Sequence, residues 1–227
     1  MKKIIIITLI VLLAFFVLVV GCPKMAEKAA VNGVVKVATS TDDQWAQDAS
    51  EAMDYKTPIT RDFAVKLIPK SHSGEYSIAQ ICDVWQYVNS RWTYVNDPNG
   101  FNYWSPASRT INLGLKGDCD DFAILITSLN TAIGGSSRTV IVPGHAYPEV
   151  YIGNSKENVQ KIVDYISKRY NCKTVFYHHE TDSQGVTRYW LNLDWSAKHP
   201  GGPFADDDGE YLVIYPDGRH QKYNNSE

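Results

Sequence analysis

The feature that most constrains this chain is the run Gly117-Asp118-Cys119-Asp120-Asp121-Phe122-Ala123-Ile124-Leu125-Ile126-Thr127-Ser128-Leu129. It reads as an apolar helix with stop and start signals at its two ends, and the rest of the fold is arranged around it. Asp118 is a good N-cap, Asp121 three residues on is an acidic version of a capping box, and Gly134-Gly135 supplies the C-cap. That register puts Cys119 at the first helical position. There the unpaired backbone N–H groups and the positive end of the helix dipole favour a thiolate, the reactive form of cysteine. The competing reading is a structural thiol, because free cysteine is among the most buried residue types and one thiol is a weak signal.

The chain opens with Lys2-Lys3, an uncharged run from Ile4 to Val20, and then Gly21-Cys22. This is the pattern of a secretory leader or a membrane anchor. Val19-Val20-Gly21-Cys22 resembles the bacterial lipoprotein cleavage motif, which predicts removal of residues 1–21 and lipidation of Cys22. An uncleaved N-terminal membrane helix is the alternative, and either way the globular part is expected outside the cytoplasm, tethered to the membrane at the cell envelope. Residues 22–41 are rich in Ala, Val and Lys with little amphipathic order and read as a tether, which leaves residues 42–227 as one domain. A net charge of -3 with no basic stripe argues against nucleic acid as a partner.

With Cys22 lipidated and Cys119 given to chemistry, Cys82 and Cys172 remain of the four cysteines. An oxidising compartment permits them to pair. Cys82, however, falls on the apolar stripe Ile78, Ile81, Cys82, Trp85 and Val88 of a helix opened by Ser77, where it also reads as a small buried hydrophobe. No CxxC or Cys/His pair has metal-ligand spacing, and Asp206-Asp207-Asp208 lacks the spacing and distal Glu of a calcium loop and reads as a solvated turn, so neither a metal nor another cofactor is expected.

Elsewhere, Asp42 or Asp43 is expected to cap a helix through Met53, Thr60 to cap a short one through Ile68, and residues 101–115 to form an irregular loop. Downstream the period changes. Thr139 to Val142 and Tyr147 to Ile152 read as strands, Ser155 to Tyr170 as an amphipathic helix, and Lys173 to His178 with Thr187 to Trp195 as a hairpin; a second hairpin flanks Pro216-Asp217-Gly218. Strand alternation puts His145 on a polar face with Tyr147, Glu149 and Tyr151, and Asp194 on one with Trp190 and Asn192. Cys119, His145 and Asp194 are then the parts of a triad: nucleophile, base, and the carboxylate that orients the base. The remaining histidines, His72, His178, His179, His199 and His220, read as polar surface.

At this point the chain resembles the transglutaminase-like superfamily, including its bacterial and archaeal cysteine peptidases. Residues 117–125 are similar to that family's cysteine motif, Arg138-Thr139-Val140 with His145-Ala146-Tyr147-Pro148-Glu149-Val150-Tyr151-Ile152 to its histidine motif, and Trp190-Leu191-Asn192-Leu193-Asp194 to its aspartate motif. Asp97-Pro98, Gly100 and Tyr103-Trp104-Ser105-Pro106 resemble the lead-in of prokaryotic members. The resemblance covers Ile59 to Trp195. It implies an α+β fold with a papain-like, transglutaminase-like core: a helical N-terminal part and a central Cys-bearing helix packed on an antiparallel β-sheet. It departs at Tyr147 and at Pro148, which removes a ladder donor and predicts an edge or bulged histidine strand. The helix from Ser155 to Tyr170 resembles an insertion.

The activity implied is acyl transfer. Cys119 attacks a peptide or protein carboxamide to form a thioester, and water then gives hydrolysis or an amine gives cross-linking; cell-envelope material is a further candidate substrate. The oxyanion donors expected are the Cys119 backbone N–H and the Trp104 indole, with Trp85 and Trp92 as alternatives. The rival readings are a catalytically inactive binding module for peptides or envelope material, and a structural lipoprotein. One tension stands out: Asp118, Asp120 and Asp121 surround the thiol with negative charge. An ion pair with protonated His145, with the carboxylates turned to backbone N–H groups, is expected to relieve it.

Overall fold

The computed structural model describes residues 41–98, 103–205 and 209–224. The leader, Cys22, the tether up to residue 40, Gly100 and the Asp206-Asp207-Asp208 turn lie outside the described residues. Among the described residues, no helix is long and apolar enough to cross a membrane.

The helical half comes first: α1 (Thr41–Ala52), α2 (Pro58–Lys66), α3 (Ile78–Asn89), the short α4 (Ala107–Asn112) and α5 (Cys119–Ala132). Thr57, and not Thr60, caps α2, because Pro58 is suited to the first helical position. In α3, Ser77 and Gln80 form the full capping box. Between these helices lies a two-residue parallel pair, β1 (Thr93–Tyr94) and β2 (Lys116–Gly117). Residues 101–115 are thus not irregular throughout: Pro106 stands at the N-cap of α4, a helix too short to show a hydrophobic period.

The other half is a six-stranded antiparallel sheet in the order β5-β6-β4-β3-β7-β8, made of β3 (Ser137–Val142), β4 (His145–Gly153), β5 (Tyr177–Thr181), β6 (Thr187–Asn192), β7 (Glu210–Ile214) and β8 (His220–Asn224). Helix α6 (Lys156–Tyr170) is inserted between β4 and β5. Ser155 caps it, and Arg169 Nη2 donates to Asp83 Oδ1 at 2.7 Å, docking it on α3.

Helix α5 is surrounded. Phe122, Ile124, Leu125, Ile126 and Leu129 are fully buried, in one core with Val150, Leu191 and Ile214 of the sheet. Its end is a Schellman motif, with Gly135 N donating to Asn130 O at 2.8 Å and Gly134 N to Thr131 O at 3.1 Å, made possible by Gly134 at φ 101°. The antiparallel sheet packed under a central Cys-bearing helix makes this an α+β fold of the transglutaminase-like kind.

The histidine strand is not an edge, since β4 lies inside the sheet between β3 and β6; it does carry an irregularity of register, at Tyr151/Gly153 and not at Pro148. The missing Pro148 N–H is the one that would have answered Leu193 O, because Leu193 N already donates to Pro148 O at 2.9 Å. The Trp85 indole of α3 takes its place, donating to Leu193 O at 3.0 Å. Trp85→Phe leaves that carbonyl buried without a partner. We expect a loss of about 1–3 kcal/mol in urea unfolding.

Candidate functional site

The start of α5, the start of β4, the end of β6 and the β1–β2 pair each deliver one side chain to the same place. Cys119 is the first residue of α5. Gly117 pairs with Tyr94 across β1 and β2, which sets the Tyr94 side chain beside the thiol. His145 is the first residue of β4, and Asp194 follows the end of β6.

The structure brings Cys119, His145 and Asp194 together. His145 Nε2 lies 2.6 Å from Asp194 Oδ2, and the ring also hydrogen-bonds the Cys119 side chain. Asp194 is 2% exposed and fixed from several sides. Its backbone N–H donates to Asn192 Oδ1 at 2.9 Å, and its Oδ1 accepts from Ser196 N at 3.0 Å. The flanking carbonyls are held by α3, Leu193 O by Trp85 and Trp195 O by Asn89 Nδ2 at 2.6 Å. The α6 insertion therefore leaves Asp194 well placed, because these bonds to α3 fix its strand directly.

Burial opposes charge on His145, but the bonds to Asp194 and to Cys119 outweigh it and lift the pKa to about 9. The imidazolium is thus the resting form at neutral pH, and it is the counter-ion a thiolate needs. The acidic residues around the sulfur behave differently from three bare charges. Burial, followed by the hydrogen bond and charge of Asp118, pushes Asp120 up to about 9; burial also holds Asp121 up to about 7 against the pull of the Ser105 N–H bond. Their ligand oxygens lie within 4.8 Å of one another, and a retained proton lowers the negative charge beside the thiol.

The capping box is half formed. Asp121 accepts the Asp118 backbone N–H and, through Oδ1, the Ser105 N–H at 2.9 Å, while the Asp118 side chain makes no cap bond. Asp121 thereby ties the loop before α4 to the start of α5. Gly117 is required for this: a Cβ there would meet Asp121 Oδ2 at 2.2 Å and its Cβ at 2.5 Å. Gly117→Ala is expected to cost about 1–3 kcal/mol as Asp121 is displaced, measured as a lowered urea midpoint.

Trp104 packs edge-on against Trp45 of α1 at 6.3 Å and lines a surface cavity with Asp48 and Glu51. That places its indole against α1, and it is Tyr94 that bonds the sulfur. Trp85 is committed to Leu193 O, and Trp92 packs on Phe122 at 5.1 Å. The residue that sequence reasoning missed is Tyr94, which leans on Trp195 at 4.6 Å; the only local signal was its place in a short β-rich stretch. Cys82 is fully buried and Cys172 partly so, both as free thiols, and burial pushes the Cys82 thiol up to about 12.

His178 is part-buried and paired, not an ordinary surface residue. Its Nδ1 lies 2.8 Å from Glu149 Oε1 on the outer face of the sheet, beside the fully buried Arg138, which pairs with Glu149 and Glu180 at 2.7 Å each. His72 also has a partner, Asp83, at 2.5 Å.

No curated protein matches the chain. A family model does match: residues 61–157 fit that of the Transglutaminase-like superfamily, a span that holds α5, Cys119, β3 and the His145 strand. This match and the helix-on-sheet architecture support a likeness of this segment to the transglutaminase-like superfamily, which is of the cysteine-dependent acyltransferase and peptidase type.

Proposed function

We propose that this protein is a cysteine-dependent acyl-transfer enzyme of the cell envelope, anchored to the membrane through its N-terminal segment and lipidated at Cys22. The observation that carries the chemistry is His145, bonded on one side to Asp194 at 2.6 Å and on the other to Cys119. With Nε2 taken by Asp194, Nδ1 is the nitrogen left to serve the sulfur.

In this reading the Cys119 thiolate adds to the carbonyl carbon of a peptide or protein amide. The C–N bond breaks as His145 gives its proton to the leaving amine, and a thioester remains on Sγ. His145 then takes a proton from water, and hydrolysis frees the acid and restores the thiolate beside the imidazolium. An amine acceptor in place of water gives transamidation. In this reading the Cys119 backbone N–H, a first-turn donor of α5, is the oxyanion donor. Asp194 keeps the ring oriented and the imidazolium charged.

The test is a panel of peptide amides, including envelope peptides, incubated with the chain and with Cys119→Ala. Amine release by the parent alone supports the reading. Equal release by both, or tight peptide binding by both with no release, favours an inactive binding module. The pH dependence follows from His145: kcat/KM is expected to fall as pH rises through about 9, where the imidazolium loses its proton. Stability carries the same sign. A histidine raised from 6.5 to about 9 contributes fully below 6.5, and the contribution is lost as pH rises through 9, so thermal midpoints should drop across that window.

A further inference from the structure

A second cavity, of about 490 Å³, opens at the opposite end of α5 and at the rim of the sheet. Cys119 opens α5 and Thr131, which lines this cavity, lies in its last turn, on the order of 18 Å away at 1.5 Å rise per residue. The volume falls within the roughly 300–1,000 Å³ of small-molecule sites.

Two residues lining it carry buried polar atoms without a partner: Ser137 Oγ, in a side chain 3% exposed, and Trp190 Nε1, in one 4% exposed. Buried donors are rarely left unpaired, and two along one cavity mark it as built for a group that accepts from them. The walls are aromatic and fixed. Trp190 is backed by the Arg138 guanidinium at 3.7 Å and met edge-on by Tyr151 at 5.6 Å and Tyr215 at 6.2 Å. Two cations line it as well. Arg188 gives Nη1 to Asp182 at 2.9 Å and Arg219 gives Nε to Asp217 at 2.7 Å, so each guanidinium has further N–H groups to offer a ligand. Asp182 and Asp217 balance the two guanidiniums, whose remaining N–H groups are what an anionic ligand would meet.

We propose that this cavity binds a short acidic saccharide. A sugar ring has an apolar C–H face suited to Tyr151 and Tyr215, and its hydroxyl rim matches Thr131, Ser136 and Ser137. The carboxylate goes to Arg188 and Arg219, and ring oxygens accept from the Trp190 indole and the Ser137 hydroxyl. A peptide C-terminus offers the carboxylate but lacks the hydroxyl rim. The site is independent of the chemistry at Cys119.

The test is calorimetric titration of the full-length chain in detergent with a uronic-acid trisaccharide, its neutral glucose counterpart and a tripeptide with a free carboxylate. The uronic trisaccharide should bind, and both others should bind at least about tenfold more weakly, as expected for loss of charge-assisted or hydroxyl bonds. Arg188→Gln with Arg219→Gln, on exposed side chains that leave the fold intact, should weaken binding by about tenfold or more. Ser137→Ala should weaken it as well, and Cys119→Ala should leave it unchanged, which separates this site from the acyl-transfer reading. No binding of the uronic trisaccharide, equal binding of the neutral sugar, tighter binding of the tripeptide, or unchanged binding by the arginine double variant would each overturn the proposal.

Discussion

Replacing His145 with alanine is expected to slow acyl transfer by roughly 10²–10⁴-fold, the usual contribution of a positioned acid–base group. The loss has two parts. The leaving amine loses its proton donor, and the thiolate loses the cation that offsets the acidic cluster of Asp118, Asp120 and Asp121. The second part separates this site from one in which histidine only shuttles a proton. In His145→Ala, alkylation of Cys119 by iodoacetamide at pH 7 should slow along with turnover. Asp194→Asn should act more mildly on alkylation, and should move the alkaline limb of the pH profile below 9, since the bond that raises His145 is weakened. An alkylation rate unchanged by His145→Ala would show that the imidazolium does not stabilise the thiolate.

The largest stability effect is expected far from the sulfur, at Arg138. Arg138 and Glu149 are both fully buried, paired at 2.7 Å, with Glu180, His178 and the Trp190 face completing the cluster. Burial works against every charge in it. The neighbouring opposite charges overcome that cost, holding Glu180 down to about 2 and His178 up to about 9, so the cluster balances two cations against two carboxylates at neutral pH. Arg138→Met removes one cation and strands the buried Glu149 carboxylate. A loss of about 3–5 kcal/mol in urea unfolding is expected, the usual result of deleting one partner of a buried pair. Glu149 and His145 share β4, and Glu149 pairs with Asn192, which holds the Asp194 N–H. Activity should therefore fall with stability, although Arg138 is not one of the three residues Cys119, His145 and Asp194. A milder loss, below about 1 kcal/mol, would mean that the cluster is wetter than its burial indicates.

Local signals carried much of this fold. The capping box of α3, the glycine end of α5, the change to strand period after Gly135 and the C-terminal hairpin follow from residues close together in the chain, whereas the other hairpin begins at Tyr177–Thr181 and not at Lys173 to His178. Alternation put His145 and Asp194 on polar faces, and the structure brings their side chains to 2.6 Å. Where the reading went astray, a distant residue had overridden a local rule. Pro148 signals an edge strand only if nothing replaces its N–H, and the Trp85 indole does so from another helix. His178 looks like surface until Glu149 and Arg138 are brought beneath it. Tyr94 reaches the thiol through a two-residue parallel pairing that no hydrophobic period announces.

The central claim is that Cys119 is a nucleophile activated by His145 and able to hold an acyl group. Its most direct measurement is the intact mass, with peptide mapping, of the full-length chain quenched in acid during turnover of an activated acyl ester. The account predicts an acyl adduct on Cys119 that hydroxylamine removes, that is absent in Cys119→Ala, and that forms far more slowly in His145→Ala. No adduct on Cys119, or one confined to Cys82 or Cys172, would contradict it.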